Sequence, residues 1–202
     1  MVSPVAHNPV AYDATSALLV VDVQNDFADP AGSLAVRGGE ALVPRINEEI
    51  ARANEAGALV VYTQDWHPEM TPHFAKDGGI WPVHCVAGTW GAELHPDLVV
   101  VGERVRKGEH GEDGYSCFTM RDPVSGVNHP TELEDLLRSE GIARVVVCGI
   151  ATDYCVKDSV LDARRLGFET ILLTDAIAAV DLQPGDGERA LAEMAAVGAN
   201  MI

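Results

Sequence analysis

Short runs of β-branched and aliphatic residues alternate along this chain with longer stretches whose apolar positions recur every three or four residues. Residues 17–23 (ALLVVDV), 58–63 (ALVVYT), 144–148 (RVVVC) and 169–174 (ETILLT) belong to the first kind. Near-continuous apolar runs of this length are the pattern of central parallel strands covered on both faces. Residues 98–101 and 104–107 supply a further strand with a bend between them, and residues 199–202 a last edge strand. Residues 41–56 belong to the second kind. Leu42, Ile46, Ile50 and Ala53 fall on one side, Glu48, Glu49, Arg52 and Glu55 elsewhere, and Gly57 stops the helix. Residues 131–140 open with Thr131 and Glu134 at capping-box spacing and end at Gly141. Val156, Val160 and Ala163 mark another helix that stops near Gly167, and residues 187–197 a final one.

The resulting order is β, α, β, loop, β, α, β, α, β, α, β. Strands alternating with helices predict an α/β protein with three α-β-α layers. Its sheet is mostly parallel, Rossmann-like and about six-stranded, with right-handed crossovers. Residues 17–202 form one domain on this reading, preceded by a loosely ordered extension over residues 1–16.

Composition narrows the partners. Acidic residues outnumber basic ones by 31 to 14 in 202 residues, a formal charge of −17. That excess argues against nucleic acid and anionic membrane, which need clustered Lys and Arg. No run of eighteen apolar residues suggests a transmembrane helix. The opening MVSPVAHNPVAYDATS lacks the positive start and apolar core of a secretory signal. Four cysteines, at 85, 117, 148 and 155, form no CxxC pair, so a reducing cytoplasm is the expected compartment. There is also no GxGxxG or Walker loop to hold a nucleotide phosphate.

Chemistry concentrates at strand exits. The stretch 144–156 (RVVVCGIATDYCV) reads as a strand running through Gly149 into a helix, with Thr152 as its N-cap and Cys155 in the first turn. The positive end of the helix dipole is expected to lower the pKa of that thiol; the plainer reading is a small apolar residue on an inner helix face. Asp22 and Lys107 also stand at strand ends, the edge where open α/β sheets keep their ligands. Read singly, they are a loop carboxylate and a surface charge. The long loop after the second strand carries Asp65, His67, His73 and His84. One carboxylate and three imidazoles suit Zn²⁺, Mn²⁺ or Fe²⁺, although loop histidines are commonly solvated or capping.

Taken together, VVDVQNDF, AGSLAV at 31–36, TQDWHP, WPVHCV, VRKG, YSCF and GIATDYCV resemble the isochorismatase-like cysteine hydrolases, and most of all their nicotinamidase (pyrazinamidase) branch. The resemblance runs from about residue 17 to the end, so the N-terminal extension departs from it, and loop lengths around 73–84 and 107–115 are its weakest part. It implies a catalytic triad of Asp22, Lys107 and Cys155, with an oxyanion site made by the backbone N–H groups of Ala151 and Cys155. It further implies a cis peptide between Ile150 and Ala151, and metal ligands Asp65, His67, His73 and His84 around one divalent transition ion, zinc first, with iron or manganese as alternatives. Phe27, Leu34, Trp81 and Tyr115 would wall a ring pocket. The implied reaction converts nicotinamide to nicotinate and ammonia through a Cys155 thioester, with pyrazinamide as a second substrate, in NAD salvage. The partner is then a small-molecule carboxamide, with a homo-oligomer left open. Two rivals remain: an amide hydrolase acting on an N-carbamoyl or ureido compound, and a non-catalytic metal-binding or redox-sensing module using His84, Cys85 and Cys155.

Overall fold

A computed structural model describes residues 10–202. In chain order the elements are β1 (Ser16–Val21), a single-turn α1 (Asn25–Ala28), α2 (Gly39–Glu55), β2 (Leu59–Asp65), β3 (Glu103–Lys107), β4 (Thr119–Arg121), β5 (Asn128–Pro130), α3 (Leu133–Ser139), β6 (Arg144–Ile150), α4 (Lys157–Arg165), β7 (Glu169–Ala178), α5 (Asp186–Ala196) and β8 (Asn200–Met201). A six-stranded sheet has the order β3-β2-β1-β6-β7-β8. All of its pairings are parallel. The chain therefore winds outward from β1 in one direction and from β6 in the other, which makes the β1/β6 boundary the topological switch point.

Alternation within the strands separates two apolar layers. Leu18, Val20, Val60, Tyr62 and Val146 pack with Val43, Ile46, Ile50 and Ala53 of α2. Ala17, Leu19, Val21, Val61, Val105 and Val147 face the other way, against Leu133 and Leu137 of α3, Val160 and Ala163 of α4, and Ala190 and Met194 of α5. Successive Cβ atoms point to opposite faces, so one apolar run serves both layers. Each aliphatic side chain so buried contributes about 1.5–3 kcal/mol.

Four local features differ from the sequence reading. Residues 99–101 do not join the sheet and are exposed, because β2 pairs with β3 only from Val61 opposite Glu103. Side chains tie that segment down instead: Tyr62 Oη donates to Val99 O (2.8 Å) and Val99 N to Asn47 Oδ1 (2.8 Å). The β4–β5 hairpin, antiparallel and separate from the main sheet, went unpredicted because its three-residue strands bury only Met120 and show no apolar alternation. Thr152 does not cap the helix before Cys155. Residues 152–156 form a wide π-type turn whose cap position is Ala151, and the N–H groups of Tyr154 and Val156 both donate to Ala151 O (3.1 and 3.0 Å). Of the expected loose extension over 1–16, residues 1–9 lie outside the described residues, while the part from Val10 onward is held. Val10 is buried, and Val10 O and Ala11 O accept from Arg52 (2.7 Å) and Arg144 (3.0 Å). Tyr12 Oη bonds Glu49 (3.0 Å), and Ser16 already opens β1. No described helix is long and apolar enough to cross a membrane.

Candidate active site

Sheet order places four chemistries side by side. Lys107 ends β3 directly opposite Asp65 at the end of β2. Asp22 follows the last residue of β1, in a left-handed conformation (φ 49°), and the turn carrying Cys155 follows β6. Strands β3, β2, β1 and β6 are consecutive neighbours, so four residues far apart in sequence meet at one edge. The Ile150–Ala151 peptide is cis.

Lys107 is the centre of the cluster and only 1% exposed. Its Nζ lies 2.7 Å from Asp22 Oδ2, 2.9 Å from Asp65 Oδ1, 3.1 Å from Tyr115 O and 3.6 Å from Cys155 Sγ. The other oxygen of Asp22 accepts from the Thr63 hydroxyl (2.6 Å). Gln24 pins Asp65 through the backbone, accepting from its N–H (2.8 Å) and donating to its O (2.7 Å).

Burial and charge oppose each other here. Burial alone would discharge the Lys107 ammonium, but Asp22 and Asp65 hold its pKa well above the ordinary lysine value. One ammonium serves two carboxylates, and they respond differently. Burial pushes Asp22 up despite Lys107 and Thr63; for Asp65 burial is outweighed by Lys107, His67 and His84, and it is held well below the carboxylate range. Burial likewise pushes the Cys155 thiol well up, against the pull of Lys107. The expected lowering is thus reversed: desolvation exceeds what a turn N-terminus supplies.

Beside this cluster lie the three predicted imidazoles. One ring nitrogen from each of His67, His73 and His84 falls within 4.8 Å of the others. Asp65 Oδ2 faces the same space, 3.8 Å from His67 Nε2 and 4.0 Å from His84 Nε2. Asp65 thus joins the two groups, one oxygen to each. His73 Nδ1 bonds Asp113 Oδ1 (2.8 Å) and His84 Nδ1 bonds Pro82 O (2.7 Å). Both partners only accept, so each Nδ1 carries a proton, and in the neutral ring the lone pair is then on Nε2. Burial lowers the pKa of His84 to about 4, which keeps that ring neutral. Neither nitrogen of His67 has a hydrogen-bond partner among the described residues. A buried, nitrogen-rich set with an orphaned imidazole and one carboxylate fits a borderline divalent transition ion.

A narrow cleft, with about 390 Å³ of empty space counted out to open solvent, lies above both groups. Phe27, Leu34, Trp81 and Tyr115 all line it, and Trp81 Nε1 donates to Tyr115 Oη (3.0 Å). Cys155 and Ala151 lie at its floor with Asp65, His73 and His84. Sequence reasoning missed Val36, Tyr154 and Val180 as further walls. Tyr154 was within reach, since it sits in the quoted GIATDYCV. It also overlooked Asp153, whose carboxylate accepts from Val180 N (2.9 Å) and Asp181 N (2.8 Å) and so clamps the nucleophile turn to the loop after β7. Asp113 was missed as well; the hydrogen bond to His73 comes first among the causes that hold its pKa down to about 2.

Known proteins resemble this chain over nearly its full length. The isochorismatase domain family matches residues 16–202. The nicotinamidase of Escherichia coli (strain K12) is 39% identical over 203 residues, covering 92% of this chain and 93% of that protein. A pyrazinamidase of Pyrococcus horikoshii in complex with zinc is 42% identical with a TM-score of 0.83, covering 93% of this chain and 98% of the other. A protein from L. infantum in complex with nicotinate is 40% identical with a TM-score of 0.85, covering 96% and 95%. With the match spanning the whole sheet and both sides of the cleft, the chain belongs to the isochorismatase domain family.

Proposed function

We propose that this chain is a metal-containing cysteine amidohydrolase of nicotinamidase type, converting nicotinamide to nicotinate and ammonia and accepting pyrazinamide. The carrying observation is the buried Asp22–Lys107–Cys155 cluster, whose Cys155 opens onto an aromatic-walled cleft and which shares Asp65 with a three-imidazole group. Relatives of this chain bear the names nicotinamidase and pyrazinamidase.

In the resting site Cys155 is a thiol, because burial raises its pKa. Asp22, itself pushed up toward the range of a useful base, takes the thiol proton as Sγ attacks the carboxamide carbon. Lys107 holds the two reacting groups in register. The C=O π bond opens, and the new oxyanion is received by the N–H groups of Ala151 and Cys155; loss of one such donor costs about 3–4 kcal/mol of barrier. Asp22 then gives its proton to the amide nitrogen, the C–N bond breaks and ammonia leaves. Asp22 next takes a proton from water, whose oxygen attacks the thioester carbon, and the C–S bond breaks. The thiolate recovers a proton from Asp22, and the new carboxylic acid gives its own proton to solvent and departs as nicotinate.

Asp65, His67, His73 and His84 would hold the divalent ion, zinc first. When bound there, it supplies a fixed ligand position for the pyridine nitrogen, directly or through water. Phe27, Leu34, Trp81 and Tyr115 sandwich the ring. The imidazole group favours a substrate with a ring nitrogen over an N-carbamoyl or ureido compound. The activity fits recycling of nicotinamide released from NAD, in a reducing cytoplasm compatible with four free, buried cysteines. The test is ammonia release by purified protein, with metal content measured on the same sample. Nicotinamide and pyrazinamide are expected to turn over at least tenfold faster than benzamide. Equal rates for benzamide would remove the ring-nitrogen contact, and no ammonia from any of the three would favour the non-catalytic reading.

A further inference from the structure

Asp113 lies outside every motif that points to the site, yet its side chain hydrogen-bonds the imidazole group directly. Its Oδ1 is 2.8 Å from His73 Nδ1 and also accepts from Gly114 N (2.9 Å). The residue is itself held from behind. Asp113 and Arg121 exchange both backbone hydrogen bonds, and Arg121 Nη2 reaches Asp113 Oδ2 (3.3 Å). Arg121 closes β4, so the hairpin anchors this carboxylate on its backbone and on its side chain.

We propose that Asp113 is a positioning residue that presents His73 as a metal ligand, and that the β4–β5 hairpin exists at this edge to hold it. The inference rests on the metal-site reading given above. A carboxylate on Nδ1 fixes the ring's tautomer and orientation and leaves Nε2 as its only lone pair. Outer carboxylates of this kind orient imidazole ligands and raise their basicity. The contrast within the group supports the assignment. Among the described residues His84 has a backbone carbonyl on its Nδ1 and His67 has no partner on either nitrogen, so of the three rings His73 is the one with a charged outer partner there. His73 also stacks on His67 with ring centroids 4.8 Å apart, so fixing one ring limits the other.

The test is zinc affinity of the full chain, by competition with a chromophoric chelator, for wild type, Asp113→Asn, Asp113→Ala, His73→Ala and the double variant Asp113→Ala/His73→Ala. Asp113→Ala is expected to weaken zinc about 10–100-fold, the usual effect of removing such a partner. Asp113→Asn, close in shape, should lose less. In the His73→Ala background Asp113→Ala should add nothing, because the carboxylate acts through that ring; thermal melting of the metal-free proteins confirms that each variant folds. Unchanged affinity in Asp113→Ala, or a full additional loss in the double variant, overturns the role of Asp113 while leaving the metal site standing. A wild-type chain that takes up no zinc, iron or manganese overturns the metal reading itself and this inference with it.

Discussion

Around Lys107 each charged atom has a partner: Asp22 Oδ2, Asp65 Oδ1 and Tyr115 O surround the ammonium, and the Thr63 hydroxyl takes the remaining oxygen of Asp22. A few ångströms away, across Asp65, His67 has no partner on either nitrogen among the described residues, and the Asp65 oxygen nearest to it stands 3.8 Å off. Both groups are buried, and both hang from the same sheet edge. One is an ion-paired cluster completed by the protein's own atoms, the other a set of lone-pair donors turned toward one another. The difference separates two kinds of buried polarity. A satisfied network contributes to folding and stores chemistry in its proton positions, whereas donors left facing each other are arranged for something they bind.

The largest effect expected on this contrast is chemical. Cys155→Ala should reduce ammonia release from nicotinamide by about 10⁴-fold or more, since removing the nucleophile of a unit leaves only binding and the oxyanion site. Its melting temperature should stay close to wild type. Turnover at more than a tenth of the wild-type rate would sink the covalent route.

A stability comparison tests the two halves directly. Lys107→Met strands two carboxylates in the interior, and breaking a buried ion pair in this way costs about 3–5 kcal/mol. His67→Leu in metal-free protein removes two buried, unsatisfied nitrogens and should leave stability unchanged or raise it by about 1–3 kcal/mol, because buried polar atoms without partners cost about that much. Urea unfolding of the two variants without metal reads both numbers. Equal losses would mean that the imidazole side is also bound into the folding network.

The smallest predicted change concerns proton position. Burial places the Asp22 pKa above the ordinary value of 3.8, so the acid limb of kcat/KM should fall away above that pH as the base becomes protonated. The Thr63 hydrogen bond favours the charged form and lowers that pKa. Thr63→Val should therefore shift the acid limb to higher pH and slow the reaction about tenfold at its optimum, in line with the ~1.5–3 kcal/mol of a hydrogen bond to a charged group. A shift to lower pH would reverse the assigned sign and with it the role of Asp22 as base.

Much of the fold was legible before any coordinates, for a local reason. Leu18 and Val20 against Ala17, Leu19 and Val21 form one uninterrupted apolar run, and such a run has one economical home, the centre of a parallel sheet. The helix of Ile46, Ile50 and Ala53 announces its inner face by spacing. The β4–β5 hairpin announces nothing: of Thr119–Arg121 and Asn128–Pro130 only Met120 is buried, and one residue makes no alternation. The acids, the cation, the thiol and the imidazoles were legible as types at strand exits and in one loop. Their partners were not. Thr63 reads as an ordinary strand residue, since its hydrogen bond reaches 41 positions back to Asp22. Asp113 reads as loop polarity, 40 positions from His73.

The thiol of Cys155 shows where local reasoning stops. Its place near a helix start argued for a lowered pKa, and the actual burial, together with the nearby carboxylates of Asp22 and Asp65, raises it. By itself the sequence determined the layers, the parallel sheet and the list of reactive groups, because periodicity and residue type act over a few neighbours. Only the tertiary structure decided that Lys107 faces Asp65 in register, that Asp22 and Cys155 share its ammonium, and that His67 is left without a partner. Strand order and desolvation belong to residues that are distant in the chain and adjacent in space, and no local pattern records them.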